Sequence, residues 1–150
     1  MKLQSILAAI LFVGLTSLGS NPVAAPAGEI VVIVNKANSM AQLSSKDVKL
    51  IFTGKNKKWS DGQKVFPINL PHGSEYRTLF DKSVLNYSPS EIKEYWVQQR
   101  IKAKGSPPAV LNSSIGVKRL VSKLPPAIGY IPVAEVDDSV KVVFKFAAGK

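Results

Sequence analysis

Between Glu29 and Asn35 the chain reads Ile-Val-Val-Ile-Val, a continuous β-branched run. A strand without polar alternation is one buried on both faces, the habit of parallel sheets. From Ser44 to Phe52 the period changes: Val48, Ile51 and Phe52 fall on one helical face, Ser44 can cap, and Asp47 stands three residues on as a capping-box partner. Gly54 stops that helix, Lys55 to Gly62 makes a basic, turn-rich loop, and Lys64 to Leu70 returns as a strand with Val65, Phe66 and Ile68 as its apolar members. Pro71-His72-Gly73-Ser74 breaks the strand and opens a helix over residues 75–85, with Tyr76, Leu79, Phe80 and Val84 at helical spacing.

The next start signal is sharper. Ser88-Pro89-Ser90-Glu91 combines a Ser cap, Pro at the first helical position and Glu at the third, and the helix it opens carries Ile92, Tyr95, Trp96 and Gln99. Gly105 to Pro108 is a loop, and Asn112 or Ser113 caps a helix through Lys123 with Ile115, Leu120, Val121 and Leu124 apolar. Pro125 and Pro126 end it. Strands over 128–131 and 140–146 follow, the second alternating enough to face solvent on one side. Strands interleaved with helices predict an α/β domain, a mixed sheet flanked by helices.

The first residues obey another logic. Lys2 precedes the apolar run Ile6 to Leu15, which is too short to span a bilayer comfortably and is followed by small and polar residues, as in an export signal. Ala25 at −3 and Ala27 at −1 place the cut before Gly28, whereas a cut after Ala25 sets Pro26 against the scissile bond. The expected products are a signal peptide, residues 1–27, and one domain, residues 28–150, in the periplasm with no membrane span after cleavage.

Composition narrows the chemistry. The 150 residues include no cysteine, which removes disulfide frameworks and thiolate metal sites, and 45% are hydrophobic, enough for one packed core. Twenty Lys and Arg against ten Asp and Glu give a formal charge of +10, favouring anionic partners. His72 is the one histidine and the carboxylates are dispersed, so no Ser-His-Asp set, histidine metal box or tight carboxylate pair can be assembled. Gly54-Lys55 lacks the upstream glycine and trailing hydroxyl of a phosphate loop. The expectation is a protein that is not an enzyme and uses no cofactor or metal. Basic residues without an interleaved aromatic ladder argue against nucleic acid as a partner.

An anion site is the chemistry that the residues do allow. Gly73-Ser74 at a helix start can offer unpaired amides and a hydroxyl to an oxyanion, although Ser74 can equally do no more than cap its own helix. Asn35, Asn38 and Ser39 lie just beyond the first strand, where open α/β sheets hold ligands, and also read as an ordinary polar loop. Arg77 can present a bidentate fork to an anion, or pair with Glu75 or Asp81. Lys55, Lys57 and Lys58 read as a solvated loop, and Trp59, Tyr95 and Trp96 as stacking groups or core.

The order of these pieces resembles the substrate-binding proteins of phosphate ABC transporters, whose fold is the type 2 periplasmic binding protein. The resemblance rests on Leu43-Ser44 to Asp47-Val48 leading into Ile51-Phe52-Thr53-Gly54-Lys55, then Trp59 with Asp61-Gly62, Gly73-Ser74, Arg77 and Phe80, Tyr95-Trp96, and Pro125-Pro126-Ala127-Ile128-Gly129-Tyr130-Ile131. It runs over most of residues 30–133. It implies a phosphate-like oxyanion bound without covalent chemistry at Gly73-Ser74 and an ABC transporter as partner; Arg77, Asn38 and Ser39 are candidate contributors from their own places in the chain.

The chain departs from the family's pattern at Leu70, where the family has an arginine, and at Glu75-Tyr76, where it has Gly-Thr; a carboxylate at Glu75 repels an oxyanion unless it turns away or is protonated. About 123 residues after the signal make a single lobe, half of a two-lobed binder. Closed capture then requires a second subunit, such as a homodimer that rebuilds the cleft. The alternative reading is an envelope protein-interaction module that kept the lobe and lost the ligand.

Overall fold

In the computed structural model, which describes residues 28–146, the β-branched run forms β1 (Ile30–Asn35) with every residue buried. The expected signal peptide, residues 1–27, lies outside the described residues. The chain continues through α1 (Ser45–Phe52), β2 (Phe66–Asn69), α2 (Glu75–Phe80), α3 (Pro89–Ile101), β3 (Ala109–Val110), α4 (Ser114–Lys123), β4 (Ala127–Pro132) and β5 (Val140–Phe146). The five strands form one mixed sheet in the order β3-β2-β4-β1-β5.

The direction of β1 corrects the sequence reading. It runs antiparallel to both of its neighbours, β4 and β5, while β2 is parallel to β3 and β4. Its unbroken apolar pattern comes from a central position with helices on both faces, which demands apolar side chains whatever the strand direction. On one face Gly129 lies against Val117 and Val121 of α4, and the Asn35 amide donates to the carbonyls of Val121 (2.8 Å) and Ser122 (2.9 Å). On the other face Tyr130 stacks on Phe80 at 4.0 Å, and Phe80 meets Phe52 edge-on at 4.7 Å, so that α1 and α2 close the layer through three aromatic rings.

Local signals set the helix starts. Ser44 with Asp47, and Ser88 with Glu91, each form a reciprocal capping box, which satisfies two amides that the first helical turn leaves without partners. The expected helix over 75–85 is α2 continued by a π-helical turn, Asp81–Leu85, that ends at Asn86 in the left-handed region (φ 55°). β2 is shorter than predicted, and its Phe66 is 40% exposed rather than core. β3 has two residues, too few to leave a periodic signal.

The junction between β2 and α2 is held by buried polar groups. Arg77, 2% exposed, donates through Nε to both carboxylate oxygens of Asp81 (2.9 and 2.7 Å) and through Nη1 to the Leu70 carbonyl (3.1 Å). The Tyr130 hydroxyl accepts from the Leu70 amide (3.2 Å) and donates to the Asn69 side-chain oxygen (3.3 Å). Burial pushes the Asp81 carboxyl above its usual value and the adjacent guanidinium opposes that shift. The same burial keeps the Tyr130 phenol protonated well beyond its ordinary range.

Two stability measurements follow. A Cβ at Gly129 would stand 2.4 Å from the Val117 side chain, whose branched Cβ leaves it few rotamers; Gly129→Ala should cost about 1–3 kcal/mol in urea unfolding through overpacking. Asp81→Asn strands the Arg77 charge in the interior and should cost about 3 kcal/mol or more, whereas the paired change Arg77→Met with Asp81→Leu, which removes both charges, should cost much less.

Candidate functional site

At its carboxyl end β2 delivers the chain to a tight turn. The Ser74 amide donates to the Pro71 carbonyl (3.2 Å), and Gly73 takes φ +87°, a conformation that a side chain resists. Ser74 itself is extended (φ −69°, ψ 144°), and its hydroxyl oxygen accepts from the Arg77 amide at 3.3 Å. Its carbonyl accepts from Thr78 at 3.0 Å. Ser74 is therefore the N-cap of α2, as the plainer of the two readings of this residue has it.

Capping does not exhaust the donors. The Glu75 and Tyr76 amides and the Ser74 hydroxyl hydrogen have no acceptor among the described residues. Gly73 and Glu75 are exposed, and Ser74 and Tyr76 are half-buried. The turn thus presents donors on open surface, and the Glu75 carboxylate stands beside them. The turn also carries the His72 side chain; what its free amides and hydroxyl can do is donate hydrogen bonds to an oxyanion.

The other residues singled out from sequence do not join this turn. Arg77 points inward, its guanidinium engaged by Asp81 and the Leu70 carbonyl, so it offers no fork to an external anion. Burial is the physical reason: a desolvated guanidinium requires a carboxylate partner inside the protein. Asn38 and Ser39 follow β1, which runs opposite to β2 in the sheet, so they leave at the opposite end of the strands from Gly73-Ser74. There the Asn38 side chain accepts from the Met40 amide (2.9 Å) and its carbonyl accepts from the Lys141 ammonium, while Ser39 is exposed. The expected five-residue site is divided, and Gly73 with Ser74 alone form the turn.

The aromatic candidates belong to the packing. Trp59 is buried with its indole N–H on the Pro126 carbonyl (3.0 Å), and the Tyr95 hydroxyl donates to the Thr53 carbonyl (2.7 Å). Among the described residues no three His, Asp or Glu side chains converge as a metal site. No helix among them is long and apolar enough to cross a membrane.

No protein-family model matches the chain. Among solved structures it is similar to an ABC-type phosphate transport receptor from Vibrio cholerae, with a TM-score of 0.61 and 23% identity over 79% of this chain and 47% of that one. It is similar also to a phosphate ABC transporter substrate-binding protein with bound phosphate from Clostridium perfringens (TM-score 0.64, 25% identity, 79% and 46% coverage). PstS from Borrelia burgdorferi matches with a TM-score of 0.60 and 16% identity over 77% of this chain and 47% of its own. The chain spans a little under half the length of these proteins. Its fold is accordingly that of a type 2 periplasmic binding protein, matching one part of the phosphate ABC transporter substrate-binding proteins.

Proposed function

We propose that this chain is an exported, periplasmic lobe that binds phosphate or a related oxyanion without covalent chemistry and serves an ABC transporter. The observation that carries the reading is the Gly73-Ser74 turn, where the Ser74 hydroxyl and the Glu75 and Tyr76 amides stand uncommitted on a fold shared with a phosphate-bound protein. The Ser74 oxygen, by accepting from the Arg77 amide, keeps its hydrogen free to donate outward. Arg77, Asn38 and Ser39 have no part in this site.

A single lobe supplies one wall of a cleft. Water reaches the other side of the anion, so binding by this wall alone is weak, and dehydrated capture requires a second lobe. Glu75 weakens the site further through like-charge repulsion.

Isothermal titration of the full chain with phosphate, sulfate and acetate tests the reading, with thermal unfolding alongside. Phosphate at one hundred times its dissociation constant should stabilise the fold by about 2.7 kcal/mol. Ser74→Ala should weaken binding by about tenfold or more, the loss of a hydrogen bond to a charged group. Glu75→Gln should tighten it by about severalfold. An absence of heat and of thermal shift at millimolar anion, or an affinity indifferent to Ser74→Ala, contradicts the proposal.

A further inference from the structure

Five lysines of this chain gather at one place that the anion turn does not use. Two adjoining hollows, of about 420 Å³ and about 570 Å³, share Gly54 and Lys57 in their walls and lie side by side as a two-part groove. It lies where α1 ends and where the chain turns after α3. Exposed lysines line it, Lys55 and Lys57 from the first loop, Lys64 from the approach to β2, and Lys102 and Lys104 from the second loop. No Asp or Glu lines either hollow.

The groove is a formed feature. Lys57 Nζ donates to the Lys104 carbonyl (2.9 Å), tying the two loops across the gap between them. Gly54 takes φ +69° and packs so near Trp96 that a Cβ there would stand 3.2 Å from the indole ring, which holds the first loop down on α3. The floor of the first hollow is apolar, made by Ile51, Val65, Trp96 and the prolines of the second loop, with Phe66 40% exposed at its side; the second hollow, which Lys55, Lys102 and Lys104 line, is mostly polar.

Lysines near helix C-termini offset the negative end of the dipole, and α1 and α3 both end here. That explanation covers neither Lys64, which belongs to no helix end, nor the apolar floor. A cationic rim around an apolar hollow is complementary to a chain segment that carries an apolar anchor between carboxylates. A bilayer is met instead by a flat or protruding face, and this one is concave.

We infer that this groove is a docking site for an acidic peptide segment with an aliphatic or aromatic anchor, presented by a partner protein. The anchor seats against Trp96 and Phe66, and the carboxylates meet Lys55, Lys57, Lys64, Lys102 and Lys104. Because the groove adjoins the start of β2 and the Ser74 turn follows its end, a docked partner leaves the anion turn uncovered.

The test is fluorescence anisotropy of a labelled peptide in which Asp and Glu flank a central Phe-Leu, titrated with the full chain. Binding is expected, weakening as salt is raised, and lost when the peptide's acids are replaced by Asn and Gln. Lys55→Glu with Lys102→Glu should weaken it by about tenfold, with the melting curve lowered only slightly, since both side chains are exposed and the dipole interaction lost at each helix end is small. Phe66→Ser should also weaken it. Unaltered phosphate titration of the lysine variant would separate this groove from the Ser74 site. The inference is overturned if the acidic peptide does not bind, if the lysine variant binds it equally, or if only phosphatidylglycerol vesicles bind. It is also overturned if tripolyphosphate displaces the peptide while Phe66→Ser has no effect, the behaviour of a site for small polyanions.

Discussion

A guanidinium and a carboxylate, both almost entirely removed from water, hold the end of β2 to the helix that follows it. The single N–H at Arg77 Nε is shared between both Asp81 oxygens, and Nη1 reaches the Leu70 carbonyl, so the residue before the turn and the π-helical turn after α2 are fixed to one another. Neither charge is tolerable alone in the interior; each is present because the other is. The Tyr130 hydroxyl fixes the Leu70 amide from β4, and stacking of Tyr130 on Phe80 carries the same constraint into the core. The position of Ser74, and of the amides after it, is set by groups that themselves never touch solvent.

This arrangement divides labour between the two ends of one short strand. At the carboxyl end of β2 backbone amides and a hydroxyl face outward, a small neutral donor set suited to a compact anion. At its amino end lysines surround an apolar hollow, a larger cationic surface suited to a segment of protein. The excess of cations over anions in the chain is thus spent mainly away from the turn where the anion is proposed to bind.

What could be read from the residues was what local chemistry decides. The capping boxes at Ser44 and Ser88 depend on side chains three residues apart, and both formed as read. β5 has the bounds expected from its alternation. Strand direction was not legible, because β1 between two covered faces looks the same in a parallel or antiparallel setting, and a parallel β1 would bring Asn38 and Ser39 to a turn that lies at the other end of the strands. Arg77 could be read as a fork for an anion or as a partner of Asp81. The choice depended on burial and on the Leu70 carbonyl, neither visible in spacing. That Lys102 and Lys104 stand beside Lys55 and Lys57 is not visible in the sequence, because only the packing of α3 brings them together.

The central claim is that the buried pair holds a turn whose outward amides receive the anion. Amide chemical shifts in a ¹⁵N-labelled sample, followed by NMR as phosphate is added, address it most directly. The account predicts that Glu75 and Tyr76 amides move most, downfield and saturably, while those of residues 36–39 stay still. Shifts centred on the lysine groove, or spread evenly in proportion to ionic strength, would contradict it.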